Sequence, residues 1–396
     1  MDVRTQAVPA APPSARRTLS TLFAANFVLG TAETLVIGLL VVISGDLGVS
    51  VPAAGGLVTA YAVGLAAGGP LLTMATVRLD RRTVVRGSVA VFVVGNLLAV
   101  VTADYLTFLV ARGVTGALHG LFLATAFTVA TAVVPREAAG RAMAAILLGN
   151  TLAGAFGAPL GTALGQVAGW RGAFVAVAAL GALVLAACWF LVPSLPGASA
   201  DDAGRGQLRN AFAPRVLALL VVCFLVFAAS CAAWSYVVPF LGEVTGVSGA
   251  MVGVYLMIYG AATAAGAYVG GRLADWDASR ALVLGLTGLT LSLVALWFLG
   301  SSPVMVALIL ALLGLCTMGM APSLQHRVVG LAGPGAPLAQ SLPASAANVG
   351  VATGAAVGGL AITGFGVPAA VAVGALIGAV AIPVAMATSR LRPVRE

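Results

Sequence analysis

The chain has 396 residues, of which 61% are hydrophobic and 8% are charged, and its mean hydropathy is +1.09. A soluble protein carries roughly 25% charged residues to cover its surface, so this composition all but excludes a soluble enzyme or a soluble nucleic-acid-binding protein. The net charge of +8 arises from 20 Arg and 12 acidic residues, with no Lys. The chain is therefore predicted to lie in a lipid bilayer.

After a polar tail at residues 1–17, apolar runs alternate with short breaks that contain Arg, Asp, Pro or Gly. A helix that crosses the bilayer needs ~20 mainly apolar residues. The first run lacks a convincing cleavage site, so it is interpreted as a retained span and not as a signal peptide. The fold class is predicted to be an all-α membrane protein with twelve transmembrane helices: 18–44, 55–76, 83–102, 106–133, 142–166, 172–193, 215–241, 249–270, 281–300, 304–325, 338–362 and 369–389.

The longest polar break, residues 194–214, lies in the middle of the chain and is predicted to be a cytoplasmic linker. It separates an N-terminal six-helix bundle, 18–193, from a C-terminal one, 215–389, which is followed by a tail at 390–396. Similar segments recur at offsets of 197 or 198 residues: Gly48-Val49-Ser50 with Gly246-Val247-Ser248, Gly157 and Gly161 with Gly354 and Gly358, and 77–82 with 275–280. Transporters built from repeated halves bind their substrates near the bilayer midplane, between the halves.

The Arg residues indicate the orientation of the chain. With twelve spans, 18 of the 20 Arg fall on the side that carries both termini. Positive residues stay in the cytoplasm because they resist translocation, so both termini are predicted to be cytoplasmic. The positive net charge is thereby explained without a nucleic-acid partner.

Glu33 is the most unusual residue, because it lies near the middle of span one. An ionised acid there costs ~2.5–3.5 kcal/mol on insertion scales, and burial favours its neutral form. Glu33 is therefore predicted to take up and release protons. Asn26, Gly30 and Glu33 form one stripe of the helix, which is predicted to face a cavity. The alternative is a structural hydrogen bond to a neighbouring helix.

Arg112 in span four is the other clear charge within the membrane, and Gly116 and His119 share its helix face. Arg keeps its proton, so Arg112 is predicted to tune a neighbouring group or to hold an anion. His119 is an auxiliary candidate for proton coupling, although a single His in a helix often makes only a structural hydrogen bond. An ion pair between Glu33 and Arg112 is possible but is not determined by the sequence.

Spans five and eleven are rich in glycines, which allow helices to cross closely. They are interpreted as a conformational seam, with static packing as the alternative; its residues are Gly149, Gly154, Gly157, Pro159, Gly161, Gly350, Gly354 and Gly358. Aromatic and Met side chains in spans seven and eight could instead line a substrate cavity or anchor the chain at the interface. These residues are Trp234, Tyr236, Met257 and Tyr259.

These motifs resemble the major facilitator superfamily, in particular its twelve-span drug:proton antiporters. Arg112 and Gly116 match its RxxxG motif, and the glycines of span five resemble its antiporter motif. Gly30-Thr-Ala-Glu33 is similar to the bacterial branch that exports chloramphenicol, sugars or nucleosides. The resemblance also implies a loop latch in each half, at Arg78, Arg81 and Arg82 and at Gly271, Asp275 and Arg280. In the first-half loop, Thr73, Val77 and Asp80 depart from the family pattern.

The sequence and the resemblance together predict proton-coupled export of a small amphipathic molecule by a monomer in the bacterial inner membrane. A sugar or nucleoside exporter, an uncoupled facilitator and a non-transporting receptor are the alternatives. An enzyme is not expected, because Glu33, Arg112 and His119 do not form a set of metal ligands. The four Cys form no CxxC pair, so neither a metal nor a cofactor is predicted.

Overall fold

The computed structural model of the chain describes residues 13–76, 78–135, 138–196, 210, 212–333, 339 and 342–391, and this described part is helical with no strands. Eleven of its helical stretches are long and apolar enough to cross a membrane. One of them, Arg141–Leu191, has 51 residues, or about 76 Å of helix against a hydrocarbon core of ~30 Å. Its backbone leaves the helical conformation at Gly169 (φ 73°, ψ 163°), which divides it into two spans. The predicted fold class, twelve spans in two six-helix bundles, is confirmed.

Spans one to four are Pro13–Asp46, Val51–Ala75, Arg81–Val101 and Tyr105–Ala132. Span five consists of Ala139–Leu152, the π-helical turn Ala153–Gly157 and residues 158–168, and span six is residues 170–191. Span seven is Pro214–Trp234 followed by Val237–Phe240 and the π-helical turn Leu241–Thr245. Spans eight and nine are the two parts of Ala250–Leu299, which separate at Asp277. Spans ten to twelve are Pro303–Gly319 with Ala321–Ala332, Leu342–Phe365 and Pro368–Ser389.

Several predicted boundaries are corrected, among them the start of span nine, which was predicted at residue 281 and lies at Trp276. Span one begins at Pro13, inside the predicted tail 1–17, and residues 1–12 lie outside the described part. Span ten was predicted to end at residue 325, but its helix continues to Ala332. It keeps Arg327 buried because the Arg327 guanidinium donates to the Thr388 carbonyl at 2.5 Å. Most of the predicted linker 194–214 also lies outside the described residues.

Because successive spans alternate in direction, residues 13 and 391 lie on the same side of the bundle. We call this side, near Thr18 and Leu191, the terminal face, and the side near Asp46 and Gly169 the distal face. The Thr18 hydroxyl donates to the Leu191 carbonyl at 2.8 Å, which ties span one to span six at the terminal face.

Polar caps begin several spans. The side chains of Ser50, Asp80 and Asp104 accept hydrogen bonds from backbone amides in the first turns of spans two, three and four. The Ser194 hydroxyl also donates to the Asp80 carboxylate at 2.6 Å. These bonds lower the pKa of Asp80, with the bond from Ser194 as the largest cause. Side-chain capping supplies partners for amides that the helix itself leaves unpaired.

The two halves repeat each other in space as well as in sequence. Gly48 and Gly246, 198 residues apart, both have left-handed backbones, with φ of 63° and 74°. A Cβ on Gly116 would collide with the Tyr61 carbonyl, and a Cβ on Gly314 would collide with the Tyr259 carbonyl. Gly314 lies 198 residues after Gly116, and Tyr259 lies 198 residues after Tyr61. Spans two and four therefore pack as spans eight and ten do, with backbones in close approach.

We expect Gly116→Ala to lower the thermal stability of the purified protein, because its Cβ would push span four away from the Tyr61 backbone. Overpacking of this kind costs ~1–3 kcal/mol. Gly113→Ala is the matched control one turn earlier, since its Cβ would meet no atom nearer than 3.8 Å. Melting curves in detergent measure the difference, and equal melting temperatures for the two variants would contradict this packing.

Candidate functional site

Glu33 lies in the middle third of span one, thirteen residues or about 20 Å of helix from its distal end. Its side chain is 25% exposed, whereas Ala32 and Leu35 beside it are buried. It interacts electrostatically with Cys231 of span seven. The carboxyl group is therefore only partly enclosed by its own bundle and lies near span seven of the other half.

His119 of span four is buried next to Glu33. Its Nδ1 atom lies 2.8 Å from the Tyr61 hydroxyl and 3.7 Å from Oε2 of Glu33. Its Nε2 atom lies 3.0 Å from Oδ1 of Asn26. Both ring nitrogens thus have partners, and the imidazole links spans one, two and four.

Arg112 is 2% exposed and does not contact the Glu33 carboxylate by an ion pair within 4.0 Å among the described residues. Its guanidinium instead donates to the backbone carbonyls of Ala32 at 2.9 Å and of Glu33 at 3.1 Å. It also lies over the Tyr61 ring, 4.1 Å from the centroid. Arg112 therefore places a positive charge against span one, beside Glu33. The forked guanidinium can bond two backbone carbonyls at once, which the single ammonium group of Lys is less suited to do.

The predicted cavity role of Asn26 is corrected. Its side chain has no exposed surface, because its amide nitrogen donates to the Ile146 carbonyl at 2.8 Å and its oxygen faces His119. Asn26 is therefore enclosed within the first bundle, whereas Glu33 keeps part of its side chain exposed. His119, also predicted to line the cavity, is 2% exposed.

The second-half aromatic residues divide into two groups. Trp234 and Tyr259 are half-buried and stack on each other, with ring centroids 3.6 Å apart. Tyr259 interacts with the hydroxyls of Ser230 and Thr317. Met257 is exposed, whereas Tyr236 is 1% exposed, so its predicted place in the cavity is corrected.

Tyr236 is instead part of a contact between the halves. Its hydroxyl donates to the Ala355 carbonyl at 2.8 Å, and its ring covers Gly55 of span two and Gly359 of span eleven. A Cβ on Gly55 would come within 2.7 Å of Cζ of Tyr236. We call Gly55, Tyr236 and Gly359 the distal gate.

Two hydrogen bonds support the same closure. The Thr59 hydroxyl donates to the Ala352 carbonyl at 3.4 Å, and the Gln166 amide donates to the Gly249 carbonyl at 2.8 Å. Both lie between the middle of the spans and the distal face. The halves are therefore in contact on the distal side of Glu33.

The predicted glycine seam packs mainly within each half. A Cβ on Gly149 or Gly157 would meet span one, and a Cβ on Gly350 or Gly354 would meet span seven. Gly161 faces Leu35 and Gly358 faces Ala232, while a Cβ on Gly154 would meet no atom within 4 Å. The contact between the halves at span five is made next to these glycines, where Gly260 of span eight packs on Ala155. Pro159 is buried, and its carbonyl lies 3.8 Å from the position of a Cβ on Gly253.

The first predicted latch contains three Arg with different surroundings. Arg78 is exposed, while Arg81 is 7% exposed and its backbone amide donates to the Leu195 carbonyl at 2.9 Å. Arg82 donates to the Trp189 carbonyl at 2.7 Å. This loop therefore attaches span three to the end of span six within the first half.

In the second latch, Arg280 pairs with Asp277 at 3.1 Å. Asp277 also caps span nine by accepting from the amides of Ser279 and Arg280. The side chain of Asp275 lies outside the described part, and Gly271 is half-buried in span eight. The side-chain contacts of Arg82 and Arg280 stay within their own halves.

Sequence reasoning included Gly359 among the span-eleven glycines but gave no functional role to Tyr61 or Gly55. Tyr61 could have been found from the repeat, because Tyr259 lies 198 residues after it. The same offset relates His119 to Thr317 and Glu33 to Cys231. The ionisable cluster of the first half thus has a neutral hydroxyl and thiol counterpart in the second.

Comparison with known proteins identifies the family to which this architecture belongs. A family model described as the Major Facilitator Superfamily matches residues 22–336 and again residues 221–396. The chain is 34% identical to the inner membrane transport protein YdhP of Escherichia coli K12, over 93% of this chain and 94% of that protein. It is 31% identical to a chloramphenicol resistance protein of Streptomyces lividans, over 82% and 84% of the two chains.

A solved structure has the same fold. A bacterial homolog of the human lysosomal transporter Spinster, in an inward-facing and occupied conformation, superimposes with a TM-score of 0.81. The match covers 96% of this chain and 98% of that one at 18% identity. At this identity the similarity establishes the fold alone.

Proposed function

We propose that this chain, which belongs to the Major Facilitator Superfamily and is a multi-pass membrane transporter, is a proton-coupled exporter of small amphipathic molecules. It works by alternating access, as a monomer, in a bacterial inner membrane with both termini in the cytoplasm. The chloramphenicol resistance protein among its relatives supports a drug-like substrate.

One observation carries the proton-coupling proposal. Glu33 is an acidic side chain at mid-membrane depth that stays one-quarter exposed, and His119 lies behind it. A carboxyl group that is costly to ionise in this setting and still reaches a cavity is suited to exchange protons. Arg112 tunes this site by holding the backbone of span one beside it, and His119 is the auxiliary group.

The neutral cluster of the second half, the counterpart of Glu33 and His119, supplies the substrate surface in this proposal. Trp234 and Tyr259 form a stacked aromatic pair, and Ser230 and Thr317 carry hydroxyls next to it. A flat apolar wall with a few hydrogen-bonding groups is typical of sites for small amphipathic ligands. Met257, which is exposed on span eight, completes the candidate surface.

Alternating access follows from the position of the contacts between the halves. Gly55, Tyr236 and Gly359 are in contact on the distal side, and we propose that this arrangement is the one open toward the terminal face. With both termini cytoplasmic, this is the conformation that loads substrate for export. Pro159, the glycines of spans five and eleven, and the loop latches keep each half rigid while the halves rock.

The test is transport into liposomes that contain the purified protein and have an acidic lumen. The panel contains chloramphenicol, a sugar and a nucleoside, each radiolabelled. We expect accumulation of chloramphenicol that a protonophore abolishes. Accumulation of the sugar or the nucleoside instead would identify those substrates, and transport that equilibrates without regard to the protonophore would show an uncoupled facilitator. No flux of any compound by correctly inserted protein would contradict drug export.

A further inference from the structure

The hydrogen bonds around His119 determine which ring nitrogen carries the proton. The Asn26 amide nitrogen donates to the Ile146 carbonyl, and a carbonyl can only accept. The Asn26 oxygen must therefore face Nε2 of His119, and an oxygen that accepts requires a proton on Nε2. Nδ1 of the neutral ring is then an acceptor.

Two possible donors compete for this Nδ1 atom. In the structure the Tyr61 hydroxyl occupies it at 2.8 Å, and Glu33 stays at 3.7 Å. An ionised carboxylate and a bare ring nitrogen are both acceptors and cannot bond to each other. A protonated Glu33 has a hydroxyl to donate and would need only a small shift to reach Nδ1.

Tyr61 has a second acceptor to which it can turn. Its hydroxyl lies 3.4 Å from the Leu29 carbonyl, so it can rotate away from His119 without becoming unpaired. The exchange breaks no covalent bond, because the proton stays on Glu33 and the hydroxyl of Tyr61 only changes partner. Arg112, stacked on the Tyr61 ring, keeps the ring in place.

We propose that Asn26, His119 and Tyr61 form a hydrogen-bond switch that reports the protonation of Glu33 to span two. Asn26 is a positioning residue, which fixes the His119 ring with its bare nitrogen toward Glu33. Tyr61 lies two residues beyond Thr59 and six beyond Gly55, so its movement acts on the helix that forms the distal gate. This inference rests on the proposed role of Glu33.

Two other groups interact electrostatically with the switch residues. Among the described residues, the other titratable or charged side chains that interact with Glu33, His119 or Tyr61 are Arg112 and, from the second half, Cys231. The second-half counterpart, Tyr259 with Thr317, has a hydroxyl in place of the imidazole. It therefore offers a matched control on the same scaffold.

The chain contains two His, so His326→Gln, a change at an exposed position, leaves His119 as the sole imidazole. Solid-state NMR of ¹⁵N-histidine-labelled protein in liposomes then reads both ring nitrogens directly. We expect a neutral ring with its proton on Nε2, and an Nδ1 resonance that shifts once as the pH is lowered and Glu33 takes up its proton. Glu33→Gln should remove this shift, because its amide is a permanent donor.

Asn26→Leu should mix the two tautomers, and Tyr61→Phe should move the Nδ1 resonance at high pH, while Tyr259→Phe leaves the spectrum unchanged. A protonated imidazolium at neutral pH, a proton on Nδ1, or a pH-dependent shift that persists in Glu33→Gln would each overturn the switch. The spectrum of His326→Gln alone decides the tautomer even where a further variant fails to fold. If the switch is observed but substrate transport does not depend on the protonophore, the proposed proton coupling is wrong while the hydrogen-bond switch is retained.

Discussion

Glu33→Gln should abolish proton-driven accumulation without abolishing transport. One pH unit across the membrane is worth about 1.36 kcal/mol, so exchange of one proton per substrate supports about a tenfold accumulation at that gradient. Glutamine keeps the size and the hydrogen-bonding capacity of the side chain but cannot release a proton. We therefore expect the accumulation ratio in liposomes with an acidic lumen to fall from about ten toward one.

Exchange of labelled for unlabelled substrate without a gradient should persist in Glu33→Gln, because rocking of the halves does not require the proton to move. The matched control is Glu243→Gln, the same change at an exposed Glu near the distal end of span seven. Its accumulation ratio should equal that of the unmodified protein. Full gradient-driven accumulation by Glu33→Gln would show that another group carries the proton.

The spans were predictable because the thickness of the bilayer sets the length of an apolar run. Charged residues marked most of the helix ends, because a charge without a partner is not stable inside the bilayer. Arg327 is different: its charge predicted the end of span ten, but the Thr388 carbonyl accepts a hydrogen bond from it inside the bundle. A partner 61 residues away leaves no local signal in the sequence. The same limit applies to Arg112, whose partners turned out to be the backbone carbonyls of span one.

The sequence predicted which residues belong to the candidate site, but not where their side chains point. Polar groups in the membrane are rare, so Glu33, Arg112, His119 and Asn26 could be selected from residue type alone. Asn26 is directed inward by its partners His119 and Ile146, which lie on other spans. The distal gate could not be predicted, because glycines are common in this sequence. Gly55 is distinguished only by its contact with Tyr236 of span seven, which the sequence does not show.

Gly55→Val should hold the distal gate open. The valine side chain would occupy the space of the Tyr236 ring, which cannot move aside easily because its hydroxyl is bonded to Ala355 and packed on Gly359. Overpacking costs ~1–3 kcal/mol, and 1.4 kcal/mol changes an equilibrium tenfold. Since alternating access requires both states, we expect transport to fall by about tenfold or more.

The state of the gate can be measured with an introduced thiol. All four native Cys are buried, so Thr59→Cys provides the reactive site next to the gate. A membrane-impermeant maleimide added at the distal face should label Thr59→Cys slowly on its own and at least about tenfold faster when combined with Gly55→Val, in line with the same free-energy difference. Rapid labelling together with lost transport is the signature of a gate that cannot close.

Two further variants separate a gate effect from general damage. Gly45→Val makes the same change near the distal end of span one, where a Cβ would meet no atom within 4 Å, and should neither open the gate nor slow transport. Tyr236→Ala combined with Gly55→Val removes the ring that collides and should slow the labelling again. If Gly55→Val transports normally and Thr59→Cys stays protected in it, the contact between Gly55 and Tyr236 does not control access from the distal face.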